Sequence, residues 1–129
     1  MNLKKNKPQV HNVVIFSGNS RDANEWSSRL RTQGYAVEVS TGGFHALNLI
    51  EKENFDIMLV SGSAPDMSGI EVIAIARTVK SQEQLPIIFI ADEGEGSQFV
   101  EALDQGANSY VLKRAGYFND IINKMTELL

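Results

Sequence analysis

The 129-residue chain contains no cysteine, which excludes a disulfide framework, a thiolate metal site and a thiol nucleophile. That lack fits a reducing, cytoplasmic setting. Its apolar runs are only a few residues long, far short of the roughly 20 that span a bilayer, and no apolar segment follows the first lysines as in a secretory leader. Positive charge is in the minority: 12 Lys and Arg stand against 16 Asp and Glu, for a formal net charge of −4. No broad basic field is therefore available for nucleic acid. Lys4, Lys5 and Lys7, beside Pro8, are the local exception. Residues 1–9 read as a basic, solvated, disordered tail, with a nucleic-acid arm as the minor alternative. There is no internal repeat, linker or low-complexity segment.

What remains is one domain over residues 10–129, of ordinary apolar and charged content. Short apolar runs alternate with amphipathic stretches. Val13-Val14-Ile15-Phe16, Ile57-Met58-Leu59-Val60 and Ile87-Ile88-Phe89-Ile90 are continuous and mostly β-branched, as strands covered on both faces should be. Tyr35, Val37 and Val39 alternate with Ala36 and Glu38 and predict a strand nearer an edge. Tyr110-Val111-Leu112 is a fifth, shorter run.

Between the runs the spacing becomes helical. Asn19 or Ser20 caps a first helix carrying Trp26 and Leu30, which Gly34 ends. Thr41 caps a second with Ala46, Leu47 and Ile50 inward. Ser68 precedes a third with Val72, Ile73, Ala76 and Val79. Ser97 opens a fourth with Val100 and Leu103, closed by Gly106. The last sets Phe118, Ile121, Ile122, Met125 and Leu129 on one face. Five strands alternating with five helices predict an α/β, doubly wound, flavodoxin-like parallel sheet, (βα)5. Functional loops in such a sheet lie at the carboxyl ends of the strands. The residues there are Ser17-Gly18, Ser61, Ala91-Asp92 and Lys113.

The stretch Phe55-Asp56-Ile57-Met58-Leu59-Val60-Ser61-Gly62-Ser63-Ala64-Pro65-Asp66-Met67-Ser68-Gly69 resembles the third strand and following Pro-x-Met-x-Gly loop of the response-regulator receiver family. Gly106-Ala107-Asn108-Ser109-Tyr110-Val111-Leu112-Lys113 is similar to that family's fifth strand with its terminal lysine, and Leu85-Pro86-Ile87-Ile88 to the entry of its fourth. The resemblance covers Val10 to Leu129 and implies a place in two-component or phosphorelay signalling. Family receivers hold Mg²⁺ with an acidic pair after the first strand and a phosphate-accepting Asp after the third. Here Ser17 and Gly18 stand at the pair, Ser61 at the phosphoacceptor and Ala91 at the switch hydroxyl; only Lys113 is retained.

Magnesium needs hard, charged oxygen ligands, and acyl-phosphate formation needs a carboxylate nucleophile. The chain is therefore expected to be a degenerate pseudo-receiver, with no metal, no cofactor and no enzymatic activity, acting as an interaction module. Asp66 and Asp92 are the acids near enough to form a displaced metal site, a minor reading. Ser61 is not a credible nucleophile, because Leu-Val-Ser-Gly-Ser is not the Gly-x-Ser-x-Gly elbow. His11 starts the first strand, at the far end of the sheet, and His45 lies in the second helix's first turn.

Lys113, deprived of the family's acids, has these readings: a weak anion site with Ser17 and Ser61 near a helix N-terminus, a salt bridge to Asp92, or simple solvation. The alternative function is a small anion- or flavin-binding flavodoxin-like protein, suggested by the hydroxyl-rich Ser17-Gly18-Asn19-Ser20. Tyr110 occupies the family's switch-aromatic position; beside the small Ala91 its ring either rests inward or is a half-exposed tyrosine with no switching role. Lys113-Arg114 replaces a family Lys-Pro, so the bond is expected trans. The resemblance implies partner docking, and a homodimer, through the last two helices and the fifth strand, carrying Phe99, Tyr110, Arg114 and Tyr117. Partners are signalling proteins or other domains of a larger chain, to which the apolar Leu128-Leu129 end weakly points.

Overall fold

The β-branched runs form the strands expected of them in the computed structural model, which describes residues 10–129. The basic segment expected over residues 1–9, with Lys4, Lys5 and Lys7, lies outside the described residues. In chain order the elements are β1 (Asn12–Ser17), α1 (Ser20–Thr32), β2 (Ala36–Ser40), α2 (Gly43–Lys52), β3 (Ile57–Ser61), α3 (Gly69–Val79), β4 (Ile87–Asp92), α4 (Ser97–Asp104), β5 (Ser109–Lys113) and α5 (Tyr117–Leu128). A single 3₁₀ turn, Glu93–Glu95, links β4 to α4. The five strands pair in the order β2-β1-β3-β4-β5, every pair parallel. Among the described residues no helix is long and apolar enough to cross a membrane.

Alternation along each strand divides the core in two. Val14, Phe16, Met58, Val60, Ile87 and Phe89 point to the face covered by α2, α3 and α4. Val13, Ile15, Ile57, Leu59, Ile88 and Ile90 point to the face covered by α1 and α5, against Trp26, Leu30 and Phe118. Burial on both faces is why these strands read as unbroken apolar runs. The chain leaves β1 for β2 on one side and returns to β3 on the other, so the carboxyl ends of β1 and β3 border the topological switch point.

Helix starts follow local chemistry in two cases. The Asn19 side chain accepts from the Asp22 N–H and caps α1. Ser68 and Glu71 form a capping box on α3, each side chain satisfying the other residue's backbone N–H. Ser68→Ala is expected to cost about 1 kcal/mol in a denaturant melt. Thr41 does not cap α2 as expected: Gly42 is the N-cap, with no side-chain bond of its own. The Asp66 carboxylate, from the loop after β3, accepts instead from Gly43 and Phe44 N–H.

Four residues of the expected apolar helix stripes turn out exposed. Val79, in the last turn of α3, is exposed, and so is Leu129, just past α5. On α4 the exposed pair is Val100 and Leu103, at 63% and 41%, while Phe99 and Ala102 face the core. Apolar residues at 99/102 and 100/103 offer two stripes one residue apart, and the bulky Phe99 ring wins the interior.

Candidate functional site

The parallel register sets Ser17 directly opposite Ser61 at the ends of β1 and β3. Both are buried. The Ser17 hydroxyl turns back on its own loop, donating to the Asn19 carbonyl and accepting from the Asn19 N–H, each at 3.1 Å. The next position is closed by backbone. Gly18 N–H donates to the Ser61 carbonyl at 3.4 Å, and a Cβ built on Gly18 would stand 1.7 Å from the Ser63 carbonyl oxygen. Only a residue without a side chain fits, because the loop after β3 rests on the loop after β1.

The acids of neighbouring loops are drawn elsewhere. Asp66 is spent on the α2 N-terminus, where bonds from Gly43 and Phe44 hold its carboxyl below the ordinary carboxylate range. The cap is therefore complete above the ordinary carboxylate range and is lost as pH falls through the lowered value. An acid titration is expected to move the Gly43 and Phe44 amide resonances together, below the pH at which exposed carboxylates protonate. Asp92 lies beside Lys113 in the β4–β5 register. The two acids therefore do not converge, and among the described residues no group of three metal-ligating side chains forms.

Lys113 is neither solvated nor served by Asp92 alone. Its Nζ donates to Asp22 Oδ2 at 2.6 Å and lies 3.6 Å from Asp92 Oδ1 and 5.5 Å from the centre of the Trp26 ring. Burial by itself would lower the lysine's pKa; the bond and charge of Asp22, with Asp92 adding, outweigh it and hold the ammonium above its usual value. Of the anion site expected of Ser17, Ser61 and Lys113, the lysine is paired within the chain to Asp22 and lies near Asp92. Asp22 lies in the first turn of α1 and does not figure among the residues that the sequence singles out. Its partner is 91 residues away, and no local pattern announces it.

At the switch positions Ala91 is buried, as a small strand-end residue should be. Tyr110, however, does not rest inward. It is 43% exposed, its ring stacked on Phe99 with centroids 4.2 Å apart. Phe99 meets Phe89 edge-on beneath it, so Phe99 fills the interior and offers Tyr110 a flat outer face. Phe99 is accordingly removed from the exposed partner face, at 8% exposure, whereas Arg114 is exposed and Tyr117 half-buried. Among the described residues no peptide bond is cis, so Lys113–Arg114 is trans as expected. The histidines have local partners: His45 Nδ1 lies 3.0 Å from the Ser40 hydroxyl, and His11 Nδ1 lies 3.8 Å from Asp56, at the amino end of the sheet. A cavity of about 490 Å³ opens between β5 and α5, lined by Tyr110, Arg114, Asp120 and Lys124 among others.

The family model for the response regulator receiver domain matches residues 13–125. The chain is 29% identical over 103 residues to chemotaxis protein CheY-3 of Vibrio cholerae, covering 78% of this chain and 79% of that one. Its fold is similar to that of a response regulator from Chloroflexus aurantiacus, with a TM-score of 0.85 at 22% identity over 93% of this chain and 98% of the other. It is also similar to TrrA of Thermotoga maritima, solved with Mg²⁺ and BeF, with a TM-score of 0.81 at 21% identity over 93% and 100%.

Proposed function

The chain belongs to the response regulator receiver domain family of two-component signalling, and from that premise we propose that it is a pseudo-receiver, working without phosphorylation as a protein-interaction module. One observation carries the reading. A carboxylate at Gly18 has no room while the Ser63 carbonyl stands where its Cβ would be. Ser17 and Ser61 bring hydroxyls but no charge to the same mouth, and a divalent cation needs that charge. Asp22, Asp66 and Asp92 are engaged with Lys113 and the α2 N-terminus. The domain in this reading binds rather than catalyses.

The surface best suited to a signalling partner, or to a second copy, is the one built from α4, β5 and α5. Val100, Leu103 and Tyr110 give it exposed apolar area, and Arg114 borders it; such a patch on a small domain favours association. With a net charge of −4, nucleic acid is not the partner of the domain itself. The reading places it in the cytoplasm, where two-component partners meet.

Magnesium calorimetry and labelling with acetyl phosphate test the reading, with TrrA run alongside as the responding control. No saturable heat and no incorporated label are expected. Micromolar Mg²⁺ binding, or beryllofluoride seated over Ser61 in a crystal, would overturn it.

A further inference from the structure

Asp22 and Trp26 are one turn apart on α1, and this helix presents both a carboxylate and a ring face to Lys113. Lys113 and Asp22 are each 18% exposed, and ions so far removed from water persist only when paired and hydrogen-bonded. The pairing is direct, at 2.6 Å, with Asp92 as a second, outer acid. Asp22 is held from its own side as well: its N–H is bound by the Asn19 cap, and the first turn of a helix favours negative charge.

We propose that Asp22 is a tethered anion, an in-chain carboxylate that occupies Lys113 in place of an external oxyanion such as phosphate. The inference rests on the reading that this chain takes no phosphoryl group. A free oxyanion approaching Lys113 would have to displace a carboxylate fixed by its helix and would meet Asp92 on arrival. A tethered ligand also forfeits little freedom on binding, which a dissolved ion must lose. The site is self-filled.

Inorganic phosphate, titrated at constant ionic strength into wild-type and Asp22→Asn protein, tests this through amide and lysine-ammonium resonances. The wild type is expected to stay unmoved. Asp22→Asn should show saturable shifts at Lys113 and residues 17–20, with an affinity at least roughly tenfold above wild type. Asp22→Ser, run in parallel, removes the same charge without the amide, and resonance dispersion reports whether each variant is folded. Indifference of both folded variants overturns the inference; so does a wild-type response as strong as theirs. Acetyl phosphate labelling of the wild type separates the two readings. Label would remove the pseudo-receiver reading and this one with it, whereas an unlabelled wild type with indifferent variants removes only the tethered anion.

Discussion

Gly18→Asp is expected to destabilise the protein by about 3 kcal/mol or more, rather than to begin rebuilding a magnesium site. The cost comes from the first side-chain atom and not from the charge, since a Cβ there would overlap the Ser63 carbonyl oxygen at 1.7 Å and its carbon at 2.5 Å. Both atoms are backbone, so relief requires the loop after β3 to lift. That loop is tied down by bonds between Ala64 and Met67 and by Gly69 N–H to the Gly62 carbonyl. Gly18→Ala should therefore lose most of the same stability, read as a shift of the urea midpoint at constant slope. Ser61→Asp meets a different obstacle, a carboxylate in a buried position, which holds its proton unless a cation accompanies it. A Gly18→Asp protein with the wild-type midpoint would show that the loop yields freely.

Removing the guanidinium of Arg77 is expected to cost a similar amount, about 3 kcal/mol, in Arg77→Met. This side chain donates to Gly106 O at 2.8 Å, to Lys80 O at 3.2 Å, to Ser81 O at 3.1 Å, to Leu85 O at 2.9 Å and to Asn108 Oδ1 at 2.8 Å. One planar group thus ties the end of α3, the segment leading to β4 and the turn before β5. Burial lowers its pKa, with Glu83 opposing, yet an arginine remains charged. Truncation strands several half-buried carbonyls at once, and the methionine thioether has no donor to answer them. Arg77→Lys should recover little, because one ammonium cannot reach acceptors arranged for a fork. The check is a denaturant melt with amide exchange at Ile87 and Asn108, which share this network through Ile87 N–H to Asn108 Oδ1. Wild-type protection at both in Arg77→Met would refute the assignment.

Both features bear on what a sequence can disclose. The sheet was readable because each central strand is buried on two faces, so runs such as Ile57–Val60 carry the signal without help from distant residues. The Ser68 capping box was readable in part for the same reason, its donors and acceptors lying three residues apart. Gly18 could be seen to lack an acid, but not to be the one residue that fits, since the obstacle arrives from a loop about 45 residues on. Asp66 capping α2 and Asp22 answering Lys113 are long-range pairings, and to a local reading each acid looks like an ordinary loop or first-turn carboxylate. The small Ala91 suggests room for an inward Tyr110, but no local pattern shows that Phe99 fills the interior and stacks beneath the ring.

Trp26 is the chain's single tryptophan. It is fully buried, and its indole N–H donates to the Tyr117 hydroxyl at 2.8 Å. All indole fluorescence of this molecule therefore originates at the seam of α1 and α5, beside the ammonium of Lys113. The emission maximum and lifetime are a built-in optical gauge of that seam. A partner that pries the two helices apart would announce itself by a red shift, with no dye attached.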